Sequence, residues 1–437
     1  MRRLLRHASR ITRSFWFIPV LCVGGAIVLA EGLVAIDRRI GDHSELPVVG
    51  SLFQLGIEGS RGILGGIGGT TFGAAATAFS ITISVIATAS TSYGPRLVGN
   101  FMTDRRNQWT LGVLVSTFVY TTLVVRTLRS APDDGTAFVP HLAVHMAIVI
   151  AIVDVFLLIS FIHHIAASIQ VDHLTAITSN AFRRTIERTE ELEDDRACSA
   201  EPPEGGELLR ARSSGYIVHI DAPAVLRAVT DDNARIAFES RVGDRVVTGS
   251  PLARVWPGHD AEALADKLVT CIDLGRKHDP ASDPFYAQQQ VVELAVRALS
   301  PGTNDPYTAV NVIEELAPAL SELVASPHPA SALEDESGTP RVFLRPVTLA
   351  ELIDLPFHQI VPFADGQALV HRALVDLAGH IEQHNIHPEL AGRAWAHVER
   401  IRDQAARSGP DEQRELLDAH MARTRALVEL SRGHADG

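Results

Sequence analysis

An aspartate in the middle of a long apolar run, Asp154, is the residue whose placement is most pointed chemically. A carboxylate inside a bilayer is expensive unless it is paired, hydrated or protonated, so such a residue marks an ion or proton path, or a protonated acid bonded to a hydroxyl of the second apolar stretch. The same run carries His141, His145, His163 and His164. At about 100° per residue, His141, His145 and His163 share one helix face and Asp154 points away from it. Between His145 and His163 that face holds Val149, Ile152 and Phe156, which carry no proton, so a histidine wire along this helix is excluded. His141 and His145 stand one turn apart, but two ligands do not make a metal site, and no metal or cofactor is expected.

Hydroxyls form the second candidate set. Ser80, Ser84 and Thr88 recur at spacing four, and Thr70, Thr77, Ser84 and Thr91 at spacing seven, so Thr77, Ser80, Ser84 and Thr88 are polar-path candidates beside Asp154. In the same stretch Gly65, Gly69 and Gly73 repeat every four residues, a doubled GxxxG pattern that lets another helix approach closely. The pattern has two readings. One is a helix lining a pore between copies of the chain. The other is small-residue packing, with each hydroxyl bonded back to its own helix.

Enzyme chemistry finds little support. The sequence holds no HExxH, GxSxG or paired-carboxylate motif and no GxxxxGK[ST] phosphate loop. Lys267 and Lys277 are the two lysines, so few groups could carry a Schiff base. Cys22, Cys198 and Cys271 are too scattered for a metal-ligand or disulfide framework. Intramembrane catalysis by His163, His164 and Asp172 is the one form an enzyme reading takes, and no catalytic residue is assigned.

The elements that must position these groups are membrane spans. A span needs about 20 apolar residues, and four stretches qualify: 15–36, 63–89, 109–128 and 138–165. A cleaved signal peptide is the rival for the first, but Glu31 and Gly32 sit where the small-residue cleavage site would fall. Arg2, Arg3, Arg6, Arg10 and Arg13, with Arg96, Arg105 and Arg106, outnumber Arg38, Arg39, Arg61, Arg126 and Arg129 on the opposite connections. That bias places both ends of the chain in the cytoplasm. Residues 1–169 hold 13 Arg against 9 acidic residues, while residues 170–437 hold 26 Lys+Arg against 43 acidic ones. So acidic a second half excludes nucleic acid as its main partner.

That half begins with a polar helix, 171–193, and an EPPEGG linker at 201–206, so 170–206 is the membrane exit. Residues 207–256 read as a compact β-rich unit, with SGYIVHI alternating at 214–220 and Gly-Asp and Gly-Ser-Pro turns after it. This resembles the barrel-sandwich fold of biotinyl and lipoyl carrier domains. No lysine occurs in 207–256, so the carrier function does not follow. From 257 the pattern reads as helical to the end, with 325–340 as an exposed loop and an amphipathic stretch from about 408 that suits assembly. One turn stands out, ALSPGTNDPYTA at 298–309. Asp305 caps a new helix with Pro306 at its first position. The joint reads as a tight helix–turn–helix. A sharper alternative has the free N–H groups there, with Arg297 near, hold an anion, which Asp305 would oppose.

Several phrases match one family: FSITISVIATAS at 79–90, YGPRLVGNFMTDRRNQWTLG at 93–112, FIHHIAASIQ at 161–170 and RALSPGTNDPYTA at 297–309. They resemble the bacterial predicted membrane proteins defined by domain of unknown function 2254, in the family's order over nearly the whole chain. The resemblance implies an integral protein of the bacterial inner membrane with no established activity. It marks as motif residues Tyr93, Gly94, Pro95, Arg96, Asn100, Asp104, Arg105, His163, His164, Pro301, Asn304, Asp305 and Pro306. DPFYAQQQ around Tyr286 is less typical, and Thr303 replaces a more usual aliphatic residue. Tyr93, Arg96, Asn100, Asp104, Arg105, His163, His164 and Gln170 should gather where the spans meet the cytoplasm. A gate or a coupling joint belongs there, as does plain anchoring of helix ends.

The expected fold is thus mainly α: a four-helix transmembrane region, then a cytoplasmic α+β domain with a small barrel-sandwich-like unit and a helical C-terminal part. The expected function is a homo-oligomeric ion channel or small-solute permease gated by that domain. The alternative is a membrane-anchored scaffold or sensor whose cytoplasmic domain binds a protein or small ligand.

Overall fold

The computed structural model of the chain describes residues 16–40, 56–93, 104–129, 138–168, 171–191, 196–256, 261–408 and 411–435. It divides into two compact units, Met1–Gln170 and Val171–Gly437.

The first unit holds helices α1 (Phe17–Ile40), α2 (Ile57–Tyr93), α3 (Arg105–Thr127) and α4 (His141–Ser168). All four are long and apolar enough to cross a membrane, over Phe17–Arg39, Ile57–Thr88, Arg105–Thr127 and His141–Ile165. α2 begins earlier than its apolar run, because Glu58 and Arg61 sit in a solvated first turn that helical hydrogen bonding tolerates. α3 is the central helix. Its start is capped by Asp104, whose side chain accepts from the Arg106 N–H at 2.8 Å. The apolar core of the unit brings together Ala26, Ala30 and Val34 of α1, Leu64 of α2, Tyr120 and Val124 of α3, and Ala143, Val144 and Ala147 of α4.

Two glycines set the close approaches to α3. A Cβ on Gly112 would lie 3.0 Å from Cys22 Sγ and 3.1 Å from Pro19 Cα of α1. A Cβ on Gly68 of α2 would lie 2.6 Å from Thr121 Oγ1. The row Gly65, Gly69 and Gly73, which the sequence offers as the close-packing face, instead has nothing within 4 Å of an added Cβ. α2 packs through Ser60, Leu64, Thr71, Ala75, Ala78, Thr82 and Val85. The sequence cannot choose between these faces, because both are made of small residues.

The second unit opens with α5 (Val171–Glu191) and continues through β1 (Ala197–Cys198), β2 (Glu207–Arg210), β3 (Gly215–Ile220), α6 (Ala222–Asp231), β4 (Arg235–Phe238), β5 (Arg245–Val246), β6 (Pro251–Trp256), α7 (Ala261–Thr270) and β7 (Ile272–Gly275). Then come α8 (Pro284–Ala298), α9 (Pro306–Ala325), β8 (Ala332–Glu334), β9 (Pro340–Phe343), α10 (Leu349–Ile360), α11 (Ala368–His384), α12 (Arg393–Ser408) and α13 (Asp411–Ala435). The strands form one sheet in the order β1-β8-β9-β4-β6-β2 and a second in the order β5-β3-β7. All pairings are antiparallel except β4 with β9.

Here the strand-rich part differs from its sequence reading. Strands of 207–256 do not close on themselves as a barrel-sandwich. They pair with β7 and β9 from outside that range, and α6 interrupts them, capped by Asp221 and burying Val225, Leu226 and Val229. Residues 325–340 are likewise not an exposed loop throughout: Ala332 and Leu333 are buried strand residues. Gly243 is required where it stands. Its φ is 96°, and an added Cβ would fall on the carboxylate of Asp283, the cap of α8.

Candidate functional site: a polar column within the four-helix unit

α3 turns an unusually polar face inward. Asn107, Gln108, Thr110, Thr117, Tyr120, Thr121 and Thr127 are all buried, and Thr71 and Thr82 of α2 join them. Each of the threonines donates its hydroxyl to a carbonyl of its own helix, as Thr117 does to Val113 at 3.0 Å and Thr110 to Arg106 at 3.0 Å. In that rotamer the hydroxyl lone pairs face the interior.

Asp154 sits halfway along the 28-residue α4 and is 4% exposed, although its neighbours Ile152, Val153, Val155 and Phe156 all face outward. Its polar neighbour is Thr117 of α3, not a hydroxyl of α2. Neither carboxylate oxygen has a hydrogen-bond partner of ordinary geometry among the described residues, and Asn107 Oδ1 shares that state. The Thr117 hydroxyl, bonded to the Val113 carbonyl at 3.0 Å, can turn to accept from a protonated Asp154 or to donate to an ionised one. An ionised Asp154 needs a cation or water as well.

Both ends of the bundle are closed by charge-assisted contacts. Where α3 begins and α4 ends, His164 Nε2–H donates to Asp104 Oδ2 at 2.5 Å, so two residues of the expected surface cluster do meet. At the opposite end Asp37 of α1, buried, accepts from the Leu142 and Ala143 N–H groups at 3.1 Å and so caps α4 from a neighbouring helix. A carboxylate at that position is favoured by the exposed N–H groups and the helix dipole. Tyr120 donates to the Ala143 carbonyl at 2.8 Å. Glu31 and Arg126, on α1 and α3, pair at 2.8 Å. Sequence reasoning missed Asp37, Tyr120, Thr117 and the Glu31–Arg126 pair, because only proximity between helices gives them meaning.

The other sequence candidates scatter. Thr77, Ser80, Ser84 and Thr88 lie on the exposed side of α2, and Thr77 and Thr88 donate back to Gly73 and Ser84. They therefore do not line the interior of this unit. His163 and Arg105 are exposed, apart from the Asp104–His164 pair. His145 turns its Nδ1–H to the His141 carbonyl at 2.8 Å. Arg96, Asn100 and Gln170, and the side chains of Tyr93 and Asp172, lie outside the described residues.

In the second unit the 298–309 turn is a helix–turn–helix joint. Asp305 accepts from the Thr308 N–H at 3.1 Å and its hydroxyl at 2.6 Å, and these bonds, the hydroxyl first, hold its carboxyl below the usual range. Asn304 adopts φ 47° and accepts from Gln367 at 3.1 Å, while Pro301 is exposed. Arg297 is bound to Glu293 at 2.9 Å, which takes away the cation an anion site would use.

Comparison with known proteins agrees with the membrane-spanning architecture. The profile of the family described as "Predicted membrane protein (DUF2254)" matches residues 12–379. An uncharacterised protein of Mycobacterium bovis is 29% identical over 437 residues, covering 95% of this chain and 81% of its own. An uncharacterised protein of Mycobacterium tuberculosis strain H37Rv matches to the same extent. No solved structure matches the chain.

Proposed function

The chain belongs to the family of predicted membrane proteins defined by domain of unknown function 2254, and from that premise we propose that it is an ion channel or small-solute permease of the bacterial inner membrane, with both termini cytoplasmic and Asp154 as its intramembrane ion- or proton-binding acid. One observation carries the reading: a carboxyl buried at mid-span, neither oxygen of which has a hydrogen-bond partner of ordinary geometry among the described residues, with the Thr117 hydroxyl as its polar neighbour. A purely structural acid at this depth would be expected to find donors. This one has a single hydroxyl beside it and both oxygens unsatisfied among the described residues, the environment of a group that binds and releases a proton or small cation.

The test is flux into liposomes holding the purified chain, under proton, sodium and potassium gradients. Asp154→Asn should reduce the flux about tenfold or more while leaving the fold intact. Absence of flux under every gradient, or equal flux in wild type and Asp154→Asn, sinks the proposal.

Homo-oligomerisation is part of the same reading. α1 and α4 present large apolar side chains outward, among them Val28, Ile152, Val155 and Phe156. α2 exposes Phe72, Phe79, Ile81 and Ile83, but beside them it presents a strip of small residues, Gly65, Gly69, Gly73, Thr77, Ser80 and Ser84. That surface suits a second copy better than lipid, since small residues permit close helix contact. Ser84→Leu should then dissociate the oligomer without unfolding the chain. A gating part for the second unit rests on its being a separate fold.

The sensor reading has one observation behind it. A cavity of about 410 Å³ opens among α9, α11 and α13, lined by Ile313, Ala317, Leu377 and Val428, with Asp376 and His380 at its polar side. A small-molecule screen that raises the melting temperature of wild type but not of Leu377→Trp would move the function to that site.

A further inference from the structure

We propose that His328, His387 and Glu389 in the second unit form a binding site for a zinc-class divalent metal ion. His328 lies in the segment that follows α9, and His387 and Glu389 lie in the turn that follows α11. The fold joins these two connections. His328 Nε2 is 2.5 Å from Glu389 Oε1, His387 Nδ1 is 3.7 Å from the same oxygen, and the two imidazole rings stand 4.1 Å apart. Nitrogen and oxygen donors from all three residues lie within 4.8 Å of one another.

The decisive feature is how His387 is held. It is 7% exposed, and its Nε2 is 2.8 Å from the Ser326 carbonyl. A carbonyl only accepts, so Nε2 carries the proton, and in the neutral ring Nδ1 presents a lone pair towards the Glu389 carboxylate. Two electron-rich atoms facing each other at 3.7 Å call for a cation between them. A backbone carbonyl fixing the far nitrogen of an imidazole is also the arrangement that orients histidine ligands on metals. The turn is rigid without any metal: Asn385 accepts from the His387 N–H at 3.0 Å and donates to the His387 carbonyl at 3.0 Å, and Ile386 N–H donates to Val324 at 3.1 Å.

Two imidazoles and one carboxylate suit zinc with water in the fourth position. Ligand bonds of about 2.0–2.2 Å put tetrahedral donors about 3.4 Å apart. Rotation of the half-exposed His328 and Glu389 side chains closes the set to that spacing while His387 stays fixed. The neighbouring trio Asp354, His358 and His397 has similar composition but the opposite electrostatics. Arg393 holds both oxygens of Asp354, at 2.9 and 2.5 Å, and His397 donates to one of them at 2.7 Å. A cation there would displace a guanidinium, so that trio is a control and not a second site.

The experiment uses the untagged full-length chain in detergent, stripped with EDTA, dialysed against Zn²⁺ and assayed for bound zinc per chain and for melting temperature. One tightly held zinc per chain and a raised melting temperature are expected. His328→Gln and Glu389→Gln alter exposed side chains and should weaken uptake about 100-fold, judged against the tenfold or larger losses typical of weaker outer-shell changes. His358→Gln should bind like wild type. The proposal is overturned if wild type takes up no stoichiometric zinc, if both exposed-ligand variants keep it, or if His358→Gln loses it. A melting temperature of wild type that does not respond to zinc would overturn it as well.

Discussion

The Asp335 side chain gathers most of the hydrogen bonds of the turn between β8 and β9. Its Oδ1 accepts from the Ser337 N–H at 2.9 Å, the Ser337 hydroxyl at 2.5 Å and the Thr339 N–H at 3.1 Å, while Oδ2 accepts from Arg341 at 2.8 Å. The Ser337 hydroxyl first, and the Arg341 guanidinium next, hold this carboxyl well below the ordinary range. A depressed folded pKa stabilises the fold fully above the unfolded value of about 3.9, and the contribution is lost as pH falls through the folded one. Asp335→Asn should therefore melt a few degrees below wild type at pH 7. The gap should narrow as the pH is lowered below about 4, read by thermal melts of the two proteins across that range. A gap that does not change with pH would remove ionisation from the account. At this scale the sequence is legible where a residue is out of place in its own run, as Asp154 is in an apolar span. It is silent where meaning comes from a partner. Thr117 is one of many span threonines until α4 lies against it, and His328 is separated from Glu389 by two helices.

Glycine placement belongs to the element scale, because it decides which face of a helix meets which neighbour. On α2, Gly68 faces Thr121, whose hydroxyl is tied to the Phe118 carbonyl, while Gly69 faces open space. Gly68→Ala should cost about 1–3 kcal/mol through overpacking. Within one chain Gly69→Ala should be neutral or slightly stabilising, since alanine favours helix by about 1 kcal/mol over glycine, and any loss it brings should fall on association between copies. The double change Gly68→Ala with Thr121→Ala should recover most of the loss, because the Thr121 Cβ that remains is 3.6 Å away. Unfolding in a detergent series measures all four proteins, and equal losses at Gly68 and Gly69 would refute the packing assigned to α2. Apolar length makes the four spans readable one at a time. Their faces are not, since α2 carries small residues on both its packed and its exposed sides. The strands fail for a different reason. β1, β5 and β8 have two or three residues each, too few for an alternating pattern, and β4 pairs with β9 from about a hundred residues away.

At the scale of the whole molecule the charge divide near residue 170 and the division into compact units coincide, as expected of one part built for lipid and one for water. The family profile ends at residue 379, inside α11, yet the second unit is not complete there. α13 lies along α11 and α12. It buries Leu417, Met421 and Val428, places Arg425 4.7 Å above the Trp395 ring, donates from His420 to Asp376 at 2.8 Å, and brings Arg432 onto the Glu382 carbonyl. Close contact of Gly379 with Thr424 fixes where the helices cross. Each of the three apolar side chains is worth about 1.5–3 kcal/mol when fully buried, and a domain's whole stability is about 5–15 kcal/mol. Removing α13 therefore takes away a large share of that total and uncovers the apolar side of α11. A chain ending at residue 410 should lose a cooperative transition in the second unit, or show it at least about 5 °C lower, with new protease cuts in α11 and α12. The spans should remain protected, because the described members of their core all lie in the first unit. If the shortened chain melts and digests like the full one, α13 is an appendage, and the family profile marks the true end of the fold.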